Sequence, residues 1–252
     1  VGVHVSSSRV FKSSVAVIAH RGASHSEKEN TVEAFVKAAH FGAHAVELDV
    51  RITADEALIV HHDAHINFQD GDAQTRELRA ICQLHRDELP AYVPSLEQAL
   101  DACEGMWVNI EIKNDPRDPD FDTEDLVARK VAEHLHHRNS DDRWVISSFR
   151  RETIDVMRAL SPSIRTAWLT LGHADADAAA VARSLHNAGH YGIHPWEKTL
   201  TMEQVSIFKE QGLAINVWTC DDATRMTEFA EWGIDGICTN VPDVAVSTLY
   251  GR

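Results

Sequence analysis

Short apolar runs alternate with amphipathic stretches along nearly the whole chain. The runs are VAVIAH (15–20), AVELDV (45–50), MWVNIEIK (106–113), WVISSF (144–149), IRTAWLT (164–170), YGIHPW (191–196), LAINVWT (213–219) and GICT (236–239), with an additional ALIVH (57–61) after the second. Their shortness and content of β-branched and aromatic residues predict strands. The stretches between them carry helical spacing. Val32, Phe35, Val36 and Ala39 form a stripe that closes at Gly42, and Gly212 and Gly233 stand where helix C-caps belong. Ser95–Gln98 and Thr201–Gln204 read as capping boxes, in which a hydroxyl and an amide three residues on satisfy free backbone N–H groups.

Eight strands, each followed by a helix, predict an α/β fold closed as a (β/α)8 TIM barrel, with an open doubly wound sheet as the competitor. At 252 residues the chain fits one such domain. Residues 1–14 read as a poorly ordered N-terminal extension and 15–252 as the barrel. Residues 63–94 are polar and weakly periodic, which predicts a small capping excursion after the second strand.

The polar residues within the strands share faces. Glu47 and Asp49 are spaced i, i+2 and point the same way, while Val46, Leu48 and Val50 point oppositely. The third run repeats this with Asn109, Glu111 and Lys113 against Val108, Ile110 and Ile112. His20-Arg21-Gly22 closes the first strand. In a barrel of this kind, chemistry sits at the carboxyl ends of the strands. Buried carboxylates without partners cost several kcal/mol each, and a divalent cation relieves that cost because hard cations take carboxylate oxygens. The plainer explanation, a polar face simply solvated, suits one strand better than two. His61-His62-Asp63 adds a histidine that an aspartate can orient for proton transfer; spacing alone does not choose between the two.

Charge narrows the partners. Net charge is −15, from 24 basic and 39 acidic residues, so nucleic acid and anionic membrane surfaces are repelled at long range. A small anionic ligand is still accommodated wherever cations gather locally. No run approaches the roughly 20 apolar residues of a membrane span, which argues against stable membrane insertion. Residues 1–15 are too polar for the core of a signal peptide, although the chain starts without Met, leaving room for a removed leader. Cys82, Cys103, Cys220 and Cys238 contain no C-x-x-C pair. They read as reduced thiols, three of them in core segments, and point to a cytoplasmic setting.

Taken together, the motifs resemble the glycerophosphodiester phosphodiesterase family. They are His20-Arg21-Gly22, Glu29-Asn30-Thr31, Glu47-x-Asp49, His62-Asp63, Asn109-Ile-Glu111-Ile-Lys113, Ser147-Ser148-Phe149, Asn216-Val217-Trp218-Thr219 and Gly233-Ile-Asp-Gly236-Ile-Cys-Thr-Asn240-x-Pro242-Asp243. They run in the family's order from residue 15 onward. The resemblance implies a (β/α)8 barrel that hydrolyses a small glycerophosphodiester to glycerol 3-phosphate and an alcohol with a divalent metal ion, magnesium, calcium or manganese. It implies His20 and His62 as the proton-handling pair, which chooses His62 from the tandem. It further implies Glu47, Asp49 and Glu111 as metal ligands, Arg21 and Lys113 as phosphate contacts and Trp218 as an aromatic wall on the glycerol side. Glu29 and Asn30 are implied as supporting groups beside the metal, with direct ligation by Glu29 left open.

Two departures touch substrate preference more than chemistry. Phe68 stands where the family often has an arginine, within a shortened excursion. Asp55-Glu56 replaces a usual Asp-Gly turn, a loss that a type I turn tolerates. Two rival functions share these residues. One is phospholipase D-like cleavage of lysolipids, for which the sequence shows neither an apolar loop nor a basic surface. The other is a barrel that binds phosphodiesters without cleaving them, which would not need two imidazoles.

Overall fold

The computed structural model describes residues 15–69, 76–138 and 140–251; the expected extension over 1–14 lies outside them. Eight parallel strands close into a barrel: β1 (Ala16–His20), β2 (Ala45–Ile52), β6 (Trp107–Ile112), β7 (Trp144–Ser148), β8 (Arg165–Thr170), β9 (Gly192–Pro195), β10 (Ala214–Val217) and β11 (Gly236–Thr239). The ring closes because β1 pairs with both β2 and β11. The expected (β/α)8 barrel is therefore the fold, and each strand lies within a residue or two of the run that predicted it. β3 (Leu58–Val60) pairs antiparallel with β2 at its carboxyl end.

Helices α1 (Val32–His40), α2 (Leu96–Ala102), α3 (Leu126–His136), α4 (Arg151–Leu160), α5 (Asp175–Asn187), α6 (Met202–Glu210), α7 (Ala223–Trp232) and α8 (Pro242–Tyr250) surround the ring. Their inner faces and the outward residues of the strands form the main core, with Val46, Leu48, Val108 and Ile110 fully buried in it.

The stripe expected on α1 is rotated. Val32 and Val36 are exposed, and the buried face is Ala34, Phe35 and Ala38. The cause lies at the site: the loop after β1 passes directly over Ala34, a close approach that only small side chains permit. A Cβ on Gly22 would lie 2.7 Å from the Ala34 backbone. The Ser95 capping box forms in full, whereas Thr201 accepts from the Gln204 N–H but the Gln204 side chain turns away to the His173 carbonyl and Asp175.

The excursion holds structure that its polar sequence concealed. β4 (His65–Gln69) and β5 (Arg76–Ala80) pair as an antiparallel hairpin, and Ile59, Ile66, Ile81, Leu84, Leu89 and Val93 form a second small core beneath it. Phe68 packs against this cluster. In the Thr53–Glu56 turn, Glu56 sits at φ 60°. The missing glycine is thus not free: Glu56 takes the left-handed backbone at about 1 kcal/mol and its carboxylate pairs with Lys130 at 2.6 Å.

Gly22 combines φ 82° with that 2.7 Å approach. Gly22→Ala is expected to destabilise the protein by about 2–4 kcal/mol, read as a lower urea midpoint at unchanged slope.

Candidate active site

Three adjoining strands build an acidic floor. Their register places His20 beside Glu47, Glu47 beside Asn109, and Asp49 beside Glu111, and alternation turns these side chains into the barrel. The ligand oxygens of Glu47, Asp49 and Glu111 lie within 4.8 Å of one another, and all three residues are buried.

Electrostatics make this floor strained. Burial, joined by repulsion from Asp49 and Glu111, pushes the Glu47 carboxyl well above its ordinary 4.5. Burial also raises Glu111, against the pull of Lys113. For Asp49 burial acts upward too, but Lys113 and Arg21 outweigh it and hold the carboxyl below its usual range. Lys113 Nζ stands 2.5 Å from Glu111 Oε1 and 2.9 Å from Asp49 Oδ1, and Arg21 Nε is 3.2 Å from Asp49 Oδ2. Glu47 Oε2 accepts from the Arg21 backbone N–H at 3.0 Å, while Oε1 is buried with no hydrogen-bond partner. Two cations facing three carboxylates, with one oxygen orphaned, fit a hard divalent cation.

The supporting residues hold this geometry. Asn30 Nδ2 donates to Asp49 Oδ2 at 2.7 Å. Both carboxylate oxygens of Glu29 accept from Arg21 Nη1 at 3.0 Å; Glu29 clamps the arginine and stands outside the carboxylate group. Arg21 and Asn30 have φ of 54° and 56°, strained values that cluster at functional sites.

Each histidine is oriented by a separate acceptor. Asn240 Nδ2 donates to Asp221 Oδ2 at 2.7 Å, which turns Asn240 Oδ1 toward His20 Nδ1 at 2.7 Å. Nδ1 is therefore the protonated nitrogen, and the Nε2 lone pair faces the floor 4.0 Å from Glu47 Oε2. Burial and then Arg21 lower the His20 pKa below 6.5, so the ring is neutral at neutral pH. His62 Nδ1 lies 2.8 Å from Asp63 Oδ1, and its carbonyl accepts from Arg51 Nε at 2.8 Å. Arg51, itself buried, pairs with Asp118 and Asp120 and ties the loop after β6 to the rim. His61 stands apart from both cavities described next.

Those two cavities meet at Glu111. One, of about 640 Å³, is open and includes His62, Glu111, Lys113, Arg150, Phe149 and Leu171 in its walls. The other, of about 20 Å³, lies inside the barrel between His20, Glu47, Asn109, Glu111, Asn216 and Trp218. Trp218 donates through Nε1 to the His194 carbonyl at 2.7 Å and meets Phe149 edge to face. All ten residues singled out in the sequence thus gather at one end of the barrel.

Sequence reasoning missed Asp221, Arg51 and the buried His194–Asn216 pair, and it gave Asn240 no role. Arg51 carried a signal, since it continues the i, i+2 series of Glu47 and Asp49. Asp221 carried none, because it meets Asn240 only through folding.

A closed α/β barrel with carboxylates, two oriented imidazoles, an arginine and a lysine at its strand ends is the frame of a hydrolase acting on phosphoric esters. The sequence profile of the glycerophosphoryl diester phosphodiesterase family matches residues 20–244. The chain is 30% identical to a glycerophosphodiester phosphodiesterase of Bacillus altitudinis, over 91% of this chain and 96% of the relative. It is 26% identical to one from Caldanaerobacter subterraneus, over 92% and 97%. Among solved structures, a glycerophosphodiester phosphodiesterase from Parabacteroides distasonis superimposes with a TM-score of 0.78 at 26% identity, covering 96% of this chain and 99% of that one. An Oleispira antarctica phosphodiesterase, solved with its product sn-glycerol-3-phosphate, gives 0.80 at 22% identity, over 93% and 96%. The chain belongs to the glycerophosphoryl diester phosphodiesterase family, and is a phosphoric diester hydrolase.

His194 supplies a pH dependence of stability. Burial lowers its pKa from 6.5 to about 3, so the folded state keeps it neutral while the unfolded chain protonates it. Its contribution is fully present above pH 6.5 and falls by about 1.4 kcal/mol per unit as pH drops toward 3. His194→Gln is expected to flatten the stability–pH slope by one proton between pH 6.5 and 5, measured by urea titration at each pH.

Proposed function

We propose that the protein hydrolyses glycerophosphodiesters to glycerol 3-phosphate and an alcohol, using a divalent metal held by Glu47, Asp49 and Glu111 with His20 and His62 as the acid–base pair. The reading is carried by one observation: two imidazoles, each oriented by its own acceptor, flank a buried carboxylate floor, the arrangement that a base and an acid on either side of a phosphodiester would use.

When bound, the metal would neutralise charge on the phosphoryl oxygens as it develops. The chain's own residues do the rest. The Arg21 guanidinium, a planar fork, and the Lys113 ammonium would contact the phosphate oxygens. Trp218 would wall the glycerol side, and the open cavity suits the variable alcohol. His62, on the open side and partnered by Asp63, would deliver a proton to the departing alkoxide. His20, neutral and with Nε2 free toward the floor, would take one from the attacking hydroxyl, whether of water or of the glycerol arm. Asn240 and Asp221 hold His20 in the tautomer this needs. Binding without cleavage would leave the orientation of both imidazoles without purpose.

Each acid–base group contributes about 10²–10⁴ in rate. His20→Ala and His62→Ala are each expected to lose at least about 100-fold in turnover with an unchanged circular dichroism spectrum; near-normal turnover in either removes it from the pair. In an assay of several glycerophosphodiesters, EDTA is expected to abolish hydrolysis and one of magnesium, calcium or manganese to restore it. Glu111→Gln is expected to raise the metal concentration needed by tenfold or more, and an unchanged requirement would discard Glu111 as a ligand.

A further inference from the structure

The two imidazoles are held by different means. His20 takes its orientation from Asn240, which arrives on another strand of the barrel. His62 takes its own from Asp63, the next residue in the chain, whose side chain is 76% exposed. A partner on the same loop moves with the ring and fixes nothing relative to the carboxylate floor. The tie between His62 and the barrel is its backbone carbonyl, which accepts from Arg51 Nε at 2.8 Å. One residue earlier, the His61 N–H donates to the Asp49 carbonyl at 2.9 Å. Arg51 stands two residues beyond Asp49 on β2, the strand that also carries Glu47. At that end β2 is paired on both sides, with Arg51 opposite Ile59 of β3 and Val50 opposite Ile112 of β6. The backbone that holds the arginine is therefore part of the barrel wall.

The rest of the guanidinium faces the loop after β6. Nη1 donates to the two oxygens of Asp120 at 2.8 and 2.6 Å, and Nη2 to Asp118 Oδ2 at 2.8 Å. Asp118 and Arg51 line the same open cavity as His62. The Arg51 side chain is 4% exposed and that of Asp120 3%, so this pairing is little screened by solvent or salt. The two carboxylates hold the guanidinium in one plane, and that plane sets where Nε meets the His62 carbonyl. We propose that Arg51, braced by Asp118 and Asp120, is a positioning residue that holds the His62 imidazole in register with the carboxylate floor. The inference rests on the acid–base pair proposed above and adds the residue through which His62 acts. A lysine keeps the charge but, as a point-charge donor without the planar fork, does not reproduce the three-partner geometry.

The test is a double-mutant cycle of Arg51→Lys and His62→Ala, with metal present, on glycerophosphocholine and on a glycerophospho-p-nitrophenyl diester. Misplacing a positioned group by about 1 Å costs about 100-fold in rate. Arg51→Lys is expected to lower kcat on glycerophosphocholine by about tenfold or more, with KM within about twofold. In the His62→Ala background the same change is expected to cost less than about twofold, because residues that act through one another are not additive. The p-nitrophenolate departs without a proton, so Arg51→Lys is expected to lose less than about threefold on that diester. Asp118→Asn, at a partly exposed carboxylate, is the milder variant that decides if Arg51→Lys does not fold; its expected loss is about threefold and is likewise confined to the background with His62. Equal fold losses in the two backgrounds, or no loss on glycerophosphocholine, overturn the inference. Failure of the hydrolytic reading is read separately. If His62→Ala loses as much on the p-nitrophenyl diester as on glycerophosphocholine, His62 is not the proton donor, yet a non-additive cycle retains Arg51 as its support. If the wild type cleaves neither diester, the hydrolysis fails and NMR decides: the His62 Cε1–H resonance, assigned by its loss in His62→Ala, is expected to shift or broaden in Arg51→Lys, and an unmoved resonance overturns the inference.

Discussion

Three carboxylates turned into the interior of a closed barrel set the terms for everything around them. Like charges buried within a few ångströms repel, and burial alone pushes Glu47 and Glu111 toward protonation. The fold answers with Arg21 and Lys113, which cover Asp49 and Glu111 but leave one oxygen of Glu47 without a partner. Such a floor is held in place by the barrel, since strands locked on both sides cannot rotate their inward side chains toward water. Such a cluster is one that could hold a hard cation.

The groups that touch the floor are themselves held. Asn30 fixes Asp49, Glu29 fixes Arg21, and Asp221 fixes the amide that fixes His20. Arg51 joins the strand carrying the carboxylates to the loop after β6 and to the His62 carbonyl. Close approaches make room for this: Gly22 lies on Ala34, and at Gly236 a Cβ would stand 2.5 Å from Asn216 Oδ1, so the absence of a side chain leaves space for that amide.

The mouth of the barrel presents two chemically different halves. One half offers fixed charges and dipoles to a phosphate; the other offers aromatic and aliphatic surface, edged by the half-buried Trp168, whose Nε1 donates to the Phe149 carbonyl. Net charge at the level of the whole chain concealed this, because it says nothing of Arg21 and Lys113 meeting the carboxylates at one end of the barrel.

Much of this was legible in the amino-acid sequence. Period-two alternation in AVELDV and VNIEIK is a local property, so it marked both the strands and the side on which Glu47, Asp49, Asn109 and Glu111 lie, and the order of motifs named the family. Other features depend on which distant residues meet. The β4–β5 hairpin escaped notice although His65–Gln69 alternates polar and apolar, because the alternation spans only five residues within a polar stretch and the cluster it packs on is completed by distant residues such as Ile59 and Leu84. The α1 stripe was misjudged because a loop, not the helix, decided that Ala34 had to face inward. Asp221 acquires its role only when β10 and β11 bring it against Asn240, and Phe149, Leu171, Trp196 and Trp218 are isolated residues in four loops until the barrel curls them into one arc. Backbone periodicity thus determined the elements and the inward chemistry, while ring closure decided which lone side chains became neighbours, because contact between residues far apart in the chain is a property of the folded geometry alone.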